Sequence, residues 1–172
     1  MWWPATPMAV AGYGRGVEPG SASRTAVLVT QCRAAAHGRL APGRFSDPMA
    51  RELLRPDEVA VVDAVQAGAR PRGLGDRLLY EVVQASSVVL VARTILIDDA
   101  IAEAANPQVV VLGAGLDTRA WRLGALGGVS VFEVDHPASQ ADKQERIGRR
   151  RLVARSVRFV PVDFATDSLD TA

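Results

Sequence analysis

The residues best suited to chemistry in this chain stand at the ends of short apolar runs in its second half. Gly113-Ala114-Gly115 closes the valine-rich run Val109 to Leu112 and precedes a helix-like segment. Small residues at such a turn let a nucleotide-like ligand approach the backbone closely. A tight strand-to-helix turn with no ligand is the competing reading. Asp135 follows Gly115 by 20 residues and ends the run Val131 to Val134. At that spacing a carboxylate accepts from ribose hydroxyls, its two oxygens matching the two donors of a diol. Glu133 is the alternative acid on the same strand, and a solvated strand-end carboxylate is the competing role. Asp163-Phe164 ends a third run. An acid there can accept from an adenine amino group while the aromatic covers the ring; capping a following helix competes. Arg93 sits in a mostly apolar stretch. Its fork suits a carboxylate ligand, with pairing to Asp98 or Asp99, or plain exposure, as the competing reading.

The glycine turn is not a full dinucleotide fingerprint. G-x-G-x-x-G needs a third glycine for close helix packing, and Thr118 occupies that position. This counts against a nicotinamide or flavin site.

The elements that position these residues are legible from periodicity and punctuation. The first half reads as helical. Ser23 caps a segment to about His37, which Gly38 ends; Asp47-Pro48 opens Met49 to Leu54; Asp57 caps Glu58 to Ala67, which Gly68 ends. Residues 69–75 form a loop. A long helix is predicted from Asp76 to Ala105, although Val88 to Val91 also suits a strand, and Asn106-Pro107 ends it. The second half alternates: strands at Val109 to Leu112, Val129 to Val134 and Val157 to Val162, with helices at Asp117 to Leu123 and Pro137 to Val153. Such alternation implies βαβ units and a parallel sheet.

Composition excludes several classes. The 172 residues are 48% hydrophobic and 23% charged, with a formal net charge of +1. That is a globular balance for one domain, without the bulk charge of a nucleic-acid binder. Cys32 is the only cysteine, so no internal disulfide forms and a cytoplasmic location is expected. His37 and His136 lack metal-like spacing partners, so no metal is expected. The apolar run Ser87 to Ile97 contains Arg93 and is too short to span a bilayer. Residues 1–22 read as a loose tail. The arginines between Arg146 and Arg158 interleave at their start with acids and read as a solvated face.

The chain resembles the bacterial S-adenosylmethionine-dependent methyltransferases related to leucine carboxyl methyltransferase. The resemblance rests on SRTA from Ser23, FSDPMARELL from Phe45, ART from Ala92, VVVLGAGLDTRAWRL from Val109, VFEVDHP from Val131 and FVPVDF from Phe159. It implies an α/β fold: a helical cap over residues 23–107, then the first half of a class I methyltransferase-type, Rossmann-like parallel sheet over 108–172, with about three strands. It implies S-adenosyl-L-methionine as cofactor. Gly113, Ala114 and Gly115 would face its methionine part, Asp135 its ribose, Asp163 with Phe164 its adenine, and Arg93 its carboxylate. Arg24 is a less secure second cation near that carboxylate. The implied reaction is methyl transfer to an oxygen of a small-molecule or carboxylate acceptor, with no general base identified.

The resembling fold has more strands than the three read here, and its first strand is central. The chain is therefore expected to be incomplete, with Val109 to Leu112 as an open edge through which it can self-associate. A NAD-dependent oxidoreductase and a non-catalytic remnant are the alternatives. Neither nucleic acid nor membrane is expected as a partner.

Overall fold

The computed structural model describes residues 23–167. The expected N-terminal tail, residues 1–22, lies outside the described residues.

Capping side chains define the helical half. In α1, Arg24–Ala36, the Ser23 hydroxyl accepts the Ala26 N–H at 3.1 Å. Asp47 does the same for α2, Pro48–Glu52, accepting from Ala50 N at 3.0 Å. The third helix, α3, spans Pro56–Ala67, and its cap residue is Arg55, not Asp57. Glu58 reaches back to accept the Arg55 N–H at 2.8 Å. Asp57 instead lies in the first turn, where negative charge complements the helix dipole. Gly68 ends α3 with φ +66°.

The long helix α4 covers Leu74–Ala104, so it starts before the predicted Asp76. Val88 to Val91 lies inside it as helix. Ser87, buried one turn beyond Val83, donates to the Val83 carbonyl at 2.6 Å and to that of Cys32 at 3.1 Å. Helices α1, α3 and α4 share a core containing Cys32, Ala34, Ala35, Val62, Val65, Tyr80 and Val83. The small side chains of α1 allow this close packing.

Three parallel strands follow, in the order β1-β2-β3: β1 Gln108–Leu112, β2 Ser130–Asp135 and β3 Ser156–Pro161. Leu112 stands opposite Val134, and Asp135 opposite Pro161, so the carboxyl ends of the strands are aligned. The connections are α5, Arg119–Arg122, and α6, Pro137–Ile147. The predicted start of α5 at Asp117 moves inward, because the Asp117 carboxylate accepts the Arg119 N–H at 2.8 Å ahead of the helix. Helix α6 stops at Ile147, well short of Val153. Gly148 has φ +56°, which takes the chain out of the helix and leaves Val153 and Ala154 to donate to the Ala120 carbonyl.

Leu53 of the helical half packs into the core of the sheet half, with Leu116, Trp121, Leu126, Val131 and Ile147. One hydrophobic interior therefore joins cap and sheet. Among the described residues strand β1 pairs with β2 alone, and its Val110 and Leu112 are each 59% exposed. Among the described residues no helix is long and apolar enough to cross a membrane.

Candidate functional site

The glycine turn emerges from β1 with two left-handed residues, Gly113 at φ +63° and Gly115 at φ +48°. The Gly113 and Ala114 N–H groups both donate to the Val134 carbonyl, at 2.8 and 3.3 Å, which carries the β1–β2 pairing into the turn. The two glycines differ in their surroundings. A Cβ on Gly113 would meet nothing within 4 Å, whereas one on Gly115 would stand 2.9 Å from the Ala26 Cβ of α1. Gly115 thus permits α1 to abut the turn, and Gly113 leaves space beside it.

Asp135 closes the turn. Its carboxylate accepts from Gly115 N at 2.5 Å and from His136 N at 2.6 Å. A carboxylate offers about four acceptor sites, so capacity remains for a ligand's hydroxyls.

A cavity of about 360 Å³ opens against this turn. Its wall includes Gly113, Ala114, Gly115, Asp135 and Arg93, five of the residues singled out from the sequence. Helices α1 and α4 complete it with Ala26, Thr30, Arg33, Thr94 and Ile97. Arg93 has no carboxylate partner among the described residues. Asp98 is engaged by Arg119 at 2.6 Å and Arg122 at 2.7 Å, and Asp99 by Arg44 at 2.7 Å. The competing internal pair with Asp98 or Asp99 is therefore not made.

Asp163 and Phe164 do not line the cavity. Both lie beyond the end of β3, Asp163 half-buried and Phe164 exposed, and Asp163 accepts from Ala165 N at 3.0 Å as a local turn cap. Asp163 nonetheless stays at the same end of the sheet as Asp135, its carboxylate 4.0 Å from Nε2 of His136. Arg24 is exposed on the first turn of α1 and is absent from the cavity wall. His37 and His136 each use Nδ1 to accept a backbone N–H, from Asp47 and Ala138 respectively, and neither lines the cavity. Burial pushes the Cys32 thiol up to about 11, which keeps it protonated. Among the described residues no group of three or more His, Cys, Asp or Glu is arranged to hold a metal ion.

Arg33 links the cavity wall to a buried polar cluster that the sequence did not reveal. Arg33, Asp47 and Thr118 meet there, with Arg122 beside them. Thr118 is fully buried and its hydroxyl is saturated: it donates to Asp47 at 2.8 Å and accepts from Arg33 and Arg122, each at 3.1 Å. Asp117 is ion-paired to Arg119. Burial opposes its charge, but the nearby Arg119, Lys143 and Arg33 outweigh that and hold it below the usual carboxylate range. Lys143 and Glu133 form a second, fully buried pair, with the Lys143 ammonium 5.2 Å from the Trp121 ring centre. Burial raises the Glu133 carboxyl beyond what Lys143 offsets. The local signal for the first cluster was an arginine set among the small residues Cys32, Ala34 and Ala35, which cannot itself satisfy a guanidinium.

Thr118 is also where the turn departs from the dinucleotide fingerprint. Where that fingerprint has a glycine for close packing, this chain has a hydrogen-bonded side chain, followed by only one turn of helix. The family model for leucine carboxyl methyltransferase matches residues 26–172. The chain belongs to the leucine carboxyl methyltransferase family. Curated relatives that it matches carry the name of S-adenosyl-L-methionine-dependent methyltransferases. One from Frankia alni is 39% identical over 129 residues, 72% of this chain and 42% of the relative. A second from the same organism is 33% identical over 88% of this chain and 52% of its own length. One from Mycobacterium marinum is 34% identical over 86% of this chain and 49% of its own. The chain of this leucine carboxyl methyltransferase family member spans about half the length of the curated relatives it matches.

Proposed function

We propose that this chain binds S-adenosyl-L-methionine and serves an O-methyltransferase acting on a small-molecule or carboxylate acceptor. The observation that carries this reading is the meeting of three chemistries on one cavity: the Arg93 cation, without a carboxylate partner among the described residues, the open glycine turn at Gly113, and the Asp135 carboxylate. They match the three polar features of the cofactor's amino-acid and ribose parts. Arg93 holds the carboxylate through charge-assisted hydrogen bonds. The turn admits the methionine chain close to the backbone. Asp135 accepts from the ribose hydroxyls. Asp163 and Phe164, at the same end of the sheet, serve the adenine side.

The cofactor supplies a methyl group on a positively charged sulfur: the acceptor oxygen bonds the methyl carbon as the S–CH3 bond breaks, and the bonding pair stays on sulfur. The protein's part is to position the two reactants and exclude water. A carboxylate acceptor already carries its lone pair and loses no proton. That suits a cavity wall whose described residues include no histidine and whose Asp117 is committed to Arg119.

Calorimetric titration of the chain with S-adenosylmethionine, and separately with NAD, tests the reading. Saturable binding of the first alone is expected. Binding of NAD alone would overturn the methyltransferase reading.

A further inference from the structure

Arg33 makes more contacts with the glycine turn's surroundings than any single cavity contact requires. Its side chain is 6% exposed. Nη2 donates to the Leu116 carbonyl at 2.7 Å and to the Thr30 hydroxyl at 3.2 Å. Nη1 donates to Asp47 at 3.0 Å and to the Thr118 hydroxyl at 3.1 Å. Leu116 directly follows Gly115, whose N–H holds Asp135. A guanidinium is planar and presents its donors in a fixed fork. Four donations in four directions therefore fix the Leu116 carbonyl relative to α1, α2 and the start of α5.

The orientation of Arg33 is itself set by Asp47. That carboxylate is fully buried and shares its oxygens among Arg33, the Thr118 hydroxyl and the Ala50 N–H. Asp47 belongs to the cap of α2, and Thr118 to the sheet half. The cofactor turn is thus held by the helical half of the chain, through Arg33, which also reaches the cavity wall but spends its four donations on protein atoms, and Asp47, which does not line the cavity.

We propose that Arg33, oriented by Asp47, is the positioning residue of the cofactor turn, so that its loss weakens cofactor binding out of proportion to its effect on stability. This rests on the S-adenosylmethionine reading above. Small misplacements remote from the reacting atoms are costly, ~1 Å accounting for about a hundredfold. Lysine keeps the charge of arginine but not the fork, so Arg33→Lys is expected to be intermediate.

The test compares the full chain with Arg33→Met, Arg33→Lys and Arg146→Met. Arg146 is the control, a buried arginine paired to Glu58 and Asp142 and absent from the cavity wall. In calorimetric titration with S-adenosylmethionine, Arg33→Met should weaken binding about tenfold or more. Arg33→Lys should fall between it and the parent, and Arg146→Met should bind within about twofold of the parent. Parent-like binding by folded Arg33→Met, or equal weakening by Arg146→Met, overturns the proposal. If Arg33→Met does not fold, Arg33→Lys against Arg146→Met decides by the same criterion. If the parent chain takes up no cofactor, the functional reading fails. Amide exchange in the ligand-free proteins, measured in either case, separates positioning of the turn from direct contact with the ligand and decides this one. The Gly115 and Asp117 N–H groups should exchange at least about tenfold faster in the Arg33 variants and unchanged in Arg146→Met. Unchanged exchange in the Arg33 variants contradicts the proposal.

Discussion

The Gly115 N–H donates to the Asp135 carboxylate at 2.5 Å, across 20 residues of chain. One bond thus joins the glycine turn after β1 to the acidic end of β2, and it holds the carboxylate at the cavity wall. Two glycine substitutions separate the roles of this turn. Gly115→Ala places a methyl group 2.9 Å from Ala26 at φ +48°, so it should cost stability by about 1–3 kcal/mol. Gly113→Ala bears a similar backbone strain at φ +63° but meets no protein atom. Its methyl group enters ligand space, so Gly113→Ala should lose more cofactor affinity per unit of stability lost. Thermal melts paired with calorimetry measure both quantities.

Arg93 is exposed and has no ion-pair partner among the described residues, so its removal should leave the fold intact. Arg93→Met is expected to melt within about 0.5 kcal/mol of the parent. It should weaken S-adenosylmethionine binding by about 1.5–3 kcal/mol, the range for a hydrogen bond to a charged group. A cofactor analogue lacking the carboxylate should bind parent and variant alike. If the variant weakens both ligands equally, Arg93 does not read the carboxylate.

Thr118 is where the sequence and the structure teach most about each other. Its identity was visible as a broken fingerprint, but its partners were not. Arg33 and Thr118 lie 85 residues apart, and no local pattern encodes such a meeting. Thr118→Val keeps the shape and removes the hydroxyl, leaving Asp47, Arg33 and Arg122 each short of a partner. The expected cost is about 2–3 kcal/mol, read from denaturant unfolding. A cost below about 0.5 kcal/mol would mean the cluster relaxes without it.

Features with a local cause were legible in the same way that Thr118 was not. Ser23 and Asp47 cap as their side chains allow, and the strand ends carry Gly113 and Asp135 to one cavity. The cap of α3 was misplaced, because Glu58 satisfies the Arg55 N–H and arginine is no recognisable cap residue. Helix α6 was drawn too long because its polar face continues through Gly148, where the backbone turns left-handed. Asp163 had two readings in the sequence. Its bond to Ala165 N displays the capping one, and the adenine role stays a proposal.

The two buried acids should respond to pH with opposite signs. Asp117 has its folded pKa lowered. Its stabilising contribution is present above its ordinary value near 3.8 and is lost as pH falls through the lower folded value. Glu133 has its folded pKa raised above 4.5. The folded state therefore holds its proton more tightly, and stability falls as pH rises between those two values. Lys143→Met removes the charge that restrains this rise. The variant should lose about 3–5 kcal/mol at neutral pH, the cost of breaking a buried pair, and distinctly less near pH 4. Urea unfolding at both pH values checks this; an equal loss at both would show that Glu133 stays ionised without Lys143.

The central claim is that one cavity, walled by Gly113 to Gly115, Asp135 and Arg93, takes S-adenosylmethionine. Amide chemical-shift mapping during a cofactor titration tests it most directly. Saturable shifts are expected at the Gly113, Ala114, Gly115 and Asp135 amides, with the left-handed glycines Gly38, Gly68 and Gly148 unmoved. Absence of shifts at the turn, or saturable shifts centred elsewhere, would contradict it.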